Sequence, residues 1–182
     1  MPTVVVPFRG ENAKQRLAPL PEAARAALAK AMLADVLAAC ESVGRTLVAQ
    51  EGGQGEAVEA ALRRVEPGPI LIVNADLPCA RPRDLLALLG AMPERGLAIV
   101  EAADGTTNAL ALSSTHLFAP VYGPGSAARF RTRAERLGAA FVSAGVPELA
   151  DDVDTLADLE RLEGRLGPHT AAALDGLRAA LS

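Results

Sequence analysis

Short apolar runs alternate with longer stretches of helical period along the chain. Thr3 to Pro7 is a β-branched run of the kind that a strand buried on both faces requires. The same reading gives strands at Thr46 to Ala49, Ile70 to Val73, Leu97 to Val100, Ala109 to Leu112 and Phe141 to Ser143. Helical patterns lie between them. Pro21 to Cys40 has Pro in its first turn, Glu22 beside it, and apolar Leu28, Met32 and Val36 one turn apart. Glu56 to Val65 is a second helix, and Pro82 opens a third through Leu85, Leu86, Leu88 and Leu89. Ala127 to Leu137 is basic and is expected at the surface. Thr155 and Asp158 have the spacing of a capping box, which predicts a helix from there to Leu166.

Strands that alternate with helices in this way predict an α/β fold. Its central sheet is expected to be mainly parallel (mixed), flanked by helices, with residues 1–182 forming one domain. Such sheets take ligands outside the carboxyl ends of their strands. The loops that follow strands are therefore where chemistry is to be sought.

Composition narrows the choice. With 50% apolar residues and a net charge of −4, the 182-residue chain can bury a core and does not read as disordered. No apolar run approaches the ~18–20 residues that span a bilayer, so no membrane partner is expected. Met1 to Phe8 has no basic leader, which makes a cytoplasmic location the expectation. Acidic excess without a basic block argues against nucleic acid. Cys40 and Cys79 form no disulfide framework, and His116 and His169 are too far apart for a zinc cluster at any usual spacing. Nothing in the pattern speaks to oligomeric state.

Three loops carry candidate chemistry. Arg9, Lys14 and Arg16 fall within eight residues after the first strand. A polyphosphate needs several positive groups and backbone N–H donors around its oxygens, although a solvated surface loop would read the same way. Lys14 stands out because Lys30 is the only other lysine among 18 basic residues. Asp76 follows the wholly apolar third strand, where a carboxylate is costly unless it meets a cation. Mg²⁺, held by one or two carboxylates plus substrate phosphates, meets that requirement, and a turn-capping Asp is the plainer alternative. Asp151, Asp152 and Asp154 place three carboxylates in four residues, which repel unless a cation or water separates them. Asp104 to Leu110 is a polar, hydroxyl-rich turn before a strand, and the two glycines and Ser of Tyr122 to Ser126 suit a phosphate or carboxylate, although a plain type-II turn explains those glycines equally well.

Taken in order, these segments resemble a known family. Pro-Phe-Arg with Ala-Lys-Gln-Arg-Leu, Ala-Asp-Leu-Pro, Gly-Thr-Thr-Asn-Ala-Leu, Tyr-Gly-Pro-Gly-Ser and Asp-Val-Asp-Thr before Asp-Leu are similar to motifs of the CofC/FbiD guanylyltransferases of coenzyme F-420 biosynthesis. The resemblance runs from about Val4 to Leu162. It implies the Rossmann-like, MobA-like nucleotidyltransferase fold. It also implies transfer of GMP from GTP to the phosphate of phosphoenolpyruvate, 2-phospho-L-lactate or a related small phosphorylated carboxylic acid, with release of pyrophosphate. In that scheme Arg9, Lys14 and Arg16 meet the nucleotide, and Lys14, Arg16 and Asp76 are catalytic. Asp76 holds Mg²⁺ with Asp152 or Asp154, and Thr107, Gly123 and Ser126 hold the acceptor.

The chain departs from the family pattern at Gly55-Glu56-Ala57, where Gly-Leu-Asn is common, and at Ala127, where an aromatic residue is common. A molybdopterin-type nucleotidylyltransferase is the neighbouring reading, but Pro7-Phe8-Arg9 lacks its Gly-rich first loop. A related glycosyltransferase would normally carry Asp-x-Asp where Asn74-Ala75-Asp76 stands. A non-catalytic nucleotide-binding regulator also remains open, and pyrophosphate release separates it from the enzymes.

Overall fold

The computed structural model describes residues 1–10 and 17–181. The parity of each strand decides which layer it feeds. Strands β1 (Thr3–Pro7), β2 (Arg45–Ala49), β3 (Ile70–Val73), β4 (Gly96–Glu101), β5 (Thr107–Leu112) and β6 (Ala140–Ser143) form one sheet in the order β2-β1-β3-β5-β4-β6. Side chains alternate across it. Val4, Val6, Leu71, Val73, Ala98, Val100, Ala109 and Ala111 face α1 (Glu22–Glu41), α3 (Pro82–Ala91) and the short α5 (Pro147–Ala150). Val5, Ile70, Ile72, Leu97, Ile99, Leu110 and Leu112 face α2 (Gln54–Leu62) and α4 (Ser126–Arg136). Two faces buried at once explain why these strands read as unbroken apolar runs.

β1 is parallel to β2 and β3, and β6 is parallel to β4. β5 runs against both of its neighbours. The cause is local. Only a tight turn links β4 to β5, with Ala102 N donating to Thr106 O at 2.9 Å, and a turn that short joins only antiparallel strands. The expected mainly parallel, mixed sheet is what the molecule has. β5 also begins at Thr107, two residues ahead of the strand that the pattern predicts.

Other boundaries shift for identifiable reasons. α2 starts at Gln54, ahead of the expected Glu56, because the Glu56 carboxylate accepts from Gly53 N at 3.2 Å and closes the first turn. α4 is not simply a surface helix. Arg129, Arg131 and Arg136 are exposed, but Ala127, Phe130 and Ala134 form a buried stripe beside Phe118 and Tyr122. The helix capped by Thr155 and Asp158, α6 (Leu156–Leu162), ends before the expected Leu166 and passes through a 3₁₀ turn, Glu163–Arg165. A further helix that the pattern did not predict, α7 (Pro168–Leu181), follows. Its N-terminus is closed by a side chain remote in sequence. The buried Asp35 of α1 accepts from His169 N, Thr170 N and the Thr170 hydroxyl at 3.0, 2.8 and 2.6 Å.

α6 and α7 enclose a satellite core of Leu17, Leu28, Met32, Cys79, Val153, Leu159, Leu162, Leu166 and Leu174. Val153 is therefore an anchor set between two acids. No described helix is long and apolar enough to cross a membrane.

Candidate active site

The site lies at the carboxyl edge of the parallel strands, where the chain order switches between β1 and β3. In open α/β sheets that switch leaves a crevice for a ligand. Here it is a cleft of about 210 Å³ lined by Pro7, Phe8 and Arg9 after β1 and by Asn74, Ala75 and Asp76 after β3. Ala29 and Met32 of α1, Gln54 of α2, and Asp154 complete the wall. Arg9 is exposed at its rim. Lys14 and Arg16 lie outside the described residues.

Three carboxylates converge at one end. Asp76, Asp152 and Asp154 each offer an oxygen within 4.8 Å of the others, and all three are half-buried. The chain brings them together by backbone pairing. Val153 N donates to Asp76 O at 3.0 Å, and the Val153 side chain is buried beneath, so its two neighbours flank the end of β3. Asp158 then fixes the far side, accepting from Asp154 N at 3.1 Å and from Thr155 N and Oγ1 at 2.8 Å each. Asp151, next in line, points elsewhere. Arg161 and Arg165 bind it at 3.0 and 2.8 Å, so the third acid of the sequence cluster takes no part in the triad.

The electrostatics follow from this packing. The Asp152 carboxyl is pushed above the ordinary carboxylate range, first by burial and then by the charge of Asp76, with Asp154 adding to it. A hydrogen bond from the buried Asn108 Nδ2, at 3.3 Å, opposes the rise. Burial also acts on Asp151 and Asp158, but the hydrogen bonds that each accepts outweigh it and hold both below the ordinary range. The triad is thus a pocket of oxygen donors under mutual repulsion. An oxygen-only set of this kind suits a hard divalent cation such as Mg²⁺.

The other predicted residues border the same edge. Thr107 and Ser126 are both buried, and the Ser126 hydroxyl donates to Thr107 Oγ1 at 3.0 Å. That bond ties the start of β5 to the start of α4. Gly123 sits in the turn before α4 with φ of +98°, and Gly125 follows at +71°, conformations that favour glycine. Arg129 clamps the turn by donating to the carbonyls of Val121, Tyr122 and Pro124 at 2.6–3.1 Å.

Three groups were not anticipated from the sequence: Asn108, Asn74 and Gln54. Asn108 links Asp152 to Ala150 O. Asn74 receives Gln54 Nε2 at 2.8 Å and donates through Nδ2 to Thr107 O at 3.1 Å. The position of β5 was the usable signal for Asn108, because an antiparallel strand brings its amino end to the ligand edge.

Comparison with known proteins places this arrangement. No family model matches the chain. A phosphoenolpyruvate guanylyltransferase of Streptomyces scabiei is 40% identical over 154 residues, covering 76% of this chain and 69% of that protein. Another, from Geodermatophilus obscurus, is 34% identical over 96% of this chain and 94% of its own length. A 2-phospho-L-lactate guanylyltransferase of Halorubrum lacusprofundi is 33% identical over 97% of this chain and 89% of its own length. Among solved structures, a protein of Desulfovibrio desulfuricans described as a nucleotide-diphospho-sugar transferase aligns with a TM-score of 0.75 at 16% identity, covering 98% and 96% of the two chains. A 2-C-methyl-D-erythritol 4-phosphate cytidylyltransferase of Thermus thermophilus aligns at 0.59 and 17% identity, covering 88% and 96%. The last two carry the fold alone. The sequence relatives, matched along 76% to 97% of this chain, carry more: this chain belongs to the phosphoenolpyruvate and 2-phospho-L-lactate guanylyltransferase family, on a nucleotidyltransferase fold.

Proposed function

We propose that this chain transfers GMP from GTP to the phosphate of phosphoenolpyruvate or 2-phospho-L-lactate, releasing pyrophosphate, in cytoplasmic coenzyme F-420 biosynthesis. The observation that carries the reading is the convergence of Asp76, Asp152 and Asp154 beside the β1–β3 crevice. Three carboxylates this close, one of them with its pKa raised by burial and by its neighbours' charge, suit a divalent cation. Mg²⁺ bound there would neutralise charge on the α-phosphate and on the oxygens being exchanged.

The chain's own groups supply the rest. Arg9, with Lys14 and Arg16 a few residues on in the sequence, neutralises the triphosphate and the departing pyrophosphate. The acceptor's attacking oxygen is a phosphate oxygen and already an anion, so no general base is required. In phosphoryl-group chemistry of this type, positioning and charge stabilisation do most of the catalysis. Thr107, Gly123 and Ser126 form the acceptor side. The bonded hydroxyl pair fixes that wall, and the Gly123 turn presents backbone to the acid.

Pyrophosphate release measured for each of four nucleoside triphosphates, crossed with candidate phospho-acids, tests the reading. Release is expected only with GTP and a phospho-acid together, lost with chelator and restored by Mg²⁺. Release that ignores the acceptor, or none with any pair, overturns it.

A further inference from the structure

A chain of amide groups on the floor of the cleft fixes the orientation of one side chain, and orientation decides what that side chain can read. Thr107 O is a carbonyl and only accepts, so the Asn74 group 3.1 Å from it is the NH₂. The Asn74 oxygen then faces the other way and also only accepts. Gln54, 2.8 Å from it, must present its own NH₂. Each amide is thereby locked against a flip. Gln54 Oε1 is left on the opposite side, without a hydrogen bond among the described residues, in a side chain that lines the cleft. Its neighbour on α2 cannot share the task. A Cβ on Gly55 would lie 2.7 Å from Pro120 Cβ, so no side chain fits there.

On the nucleotidyl-transfer reading the phosphates lie at the carboxylate triad, and the α2 side of the cleft is assigned to the base. The apolar faces of Phe8, Ala29 and Met32 lie on the cleft wall, and Gln54 supplies a polar group at its edge. We propose that Gln54 selects the base of the nucleotide by accepting, through Oε1, a hydrogen bond from the N1–H or N2–H₂ group of guanine. Adenine presents a lone pair at N1 and has no group at C2, so the same oxygen meets either repulsion or nothing. Asn74 acts as a positioning residue, holding Gln54 in the accepting orientation. The inference rests on the nucleotidyl-transfer reading for where the phosphates lie, and a binding readout keeps the two separable.

The experiment measures equilibrium binding of GTP, ITP and ATP, each with Mg²⁺, to the full chain and to Gln54→Leu. Gln54→Met, which keeps the length of the side chain, serves as a second variant if the first fails to fold. The unaltered protein is expected to prefer GTP over ATP. Either variant should cut that preference by roughly five- to a hundredfold, the range expected when one hydrogen bond is replaced by an unmatched donor. ITP, which lacks the amino group at C2, assigns the donor: parity with GTP selects N1–H, and weaker binding selects N2–H₂. Asn74→Leu should lower the preference by a smaller factor, because the Gln54 amide can then rotate. A variant that loses GTP and ATP affinity by the same factor overturns the proposal, since Gln54 would then be holding the ribose or the fold. Unaltered protein that binds both bases equally overturns it as well. Selective GTP binding without pyrophosphate release would instead overturn the transfer reading and leave the role of Gln54 standing.

Discussion

Replacing Asp152 by Asn should stabilise the metal-free protein while weakening its hold on a divalent cation. The carboxylate oxygens of Asp76, Asp152 and Asp154 lie within 4.8 Å of one another. At that separation two unit charges repel by about 3.5 kcal/mol at an effective dielectric of 20, and by about 0.9 kcal/mol in water. The residues are half-buried, so the value lies between these limits. Asp152 takes part in two of the three pairs, and its neutralisation relieves roughly 2–4 kcal/mol after solvent screening is allowed for. The substitution sacrifices little, because an Asn oxygen at the same place still accepts from Asn108 Nδ2. For a domain of this length ~1 kcal/mol moves the melting temperature by about 2–4 °C, so a rise of at least about 4 °C is expected in chelator at pH 8.

The pH dependence provides a second handle. Because the folded protein raises the Asp152 pKa, protonation of this group adds stability that is fully present below the unfolded value near 4 and is lost as pH rises through the folded value. The advantage of the Asn variant should therefore shrink as pH falls from 8 toward 4. Added Mg²⁺ should reverse the order, raising the melting temperature of the unaltered protein and leaving that of the variant almost unmoved. Scanning calorimetry in chelator and in Mg²⁺ supplies all of these numbers. If the variant melts no higher than the unaltered protein in chelator at pH 8, the carboxylates are not repelling one another and the account of the site fails.

Lys14→Ala should reduce kcat/KM for GTP about ten- to a hundredfold with the melting temperature unchanged, as expected for loss of one bond to a charged group; unaltered kinetics would remove Lys14 from the nucleotide site. Asp158→Ala removes an acceptor for four donors and should cost about 1–2 kcal/mol in denaturant melts, with weaker Mg²⁺ binding because Asp154 loses its anchor. Since Asp151 and Asp158 are both held below the ordinary range, the stability they add is present above pH ~4 and should vanish as pH falls through their folded values, which acid titration of the melting temperature will show. Phe130→Ala empties a fully buried ring position under α4 and should cost about 3–5 kcal/mol by equilibrium unfolding.

The elements that were legible in the sequence are those whose signal is local. Val4 to Val6 and Ile70 to Val73 are apolar on both faces because both faces are covered, and this pattern needs no tertiary knowledge to read. The capping box at Thr155 and Asp158 was equally visible, since the residues that make it lie three apart. α7 was not. Its N-terminus is satisfied by Asp35, which lies more than a hundred residues away, and its start lacks the usual side-chain cap of its own. The buried stripe of α4 was also missed, because Arg129, Arg131, Arg133 and Arg136 mask the spacing of Ala127, Phe130 and Ala134. Within the site, the acids were visible by type and place, but which of them would meet was not. Asp151 belongs to the same run as Asp152, yet Arg161 of α6 and Arg165 of the 3₁₀ turn after it draw it away.

One strand direction explains why Asn108 escaped a search of loops after strands. That rule holds for β1 and β3, and it finds Arg9 and Asp76. β5 runs the other way, so the segment it brings to the same edge is the one before it and its own first residues. Thr107 and Asn108 therefore stand beside Asp76 although they open a strand, and Asn74 N pairs with Asn108 O at 3.0 Å to close the gap. The consequence reaches across the cleft. From Gln54 on α2, hydrogen bonds pass through Asn74 to Thr107 and on to Ser126 at the head of α4. The two walls proposed for nucleotide and acceptor share one continuous set of polar contacts, and its centre is β5, the described strand that runs against its neighbours. Were β5 parallel, its amino end would lie at the far edge of the sheet. Asp152 would then lose Asn108, and Asn74 would lose the carbonyl that orients its amide.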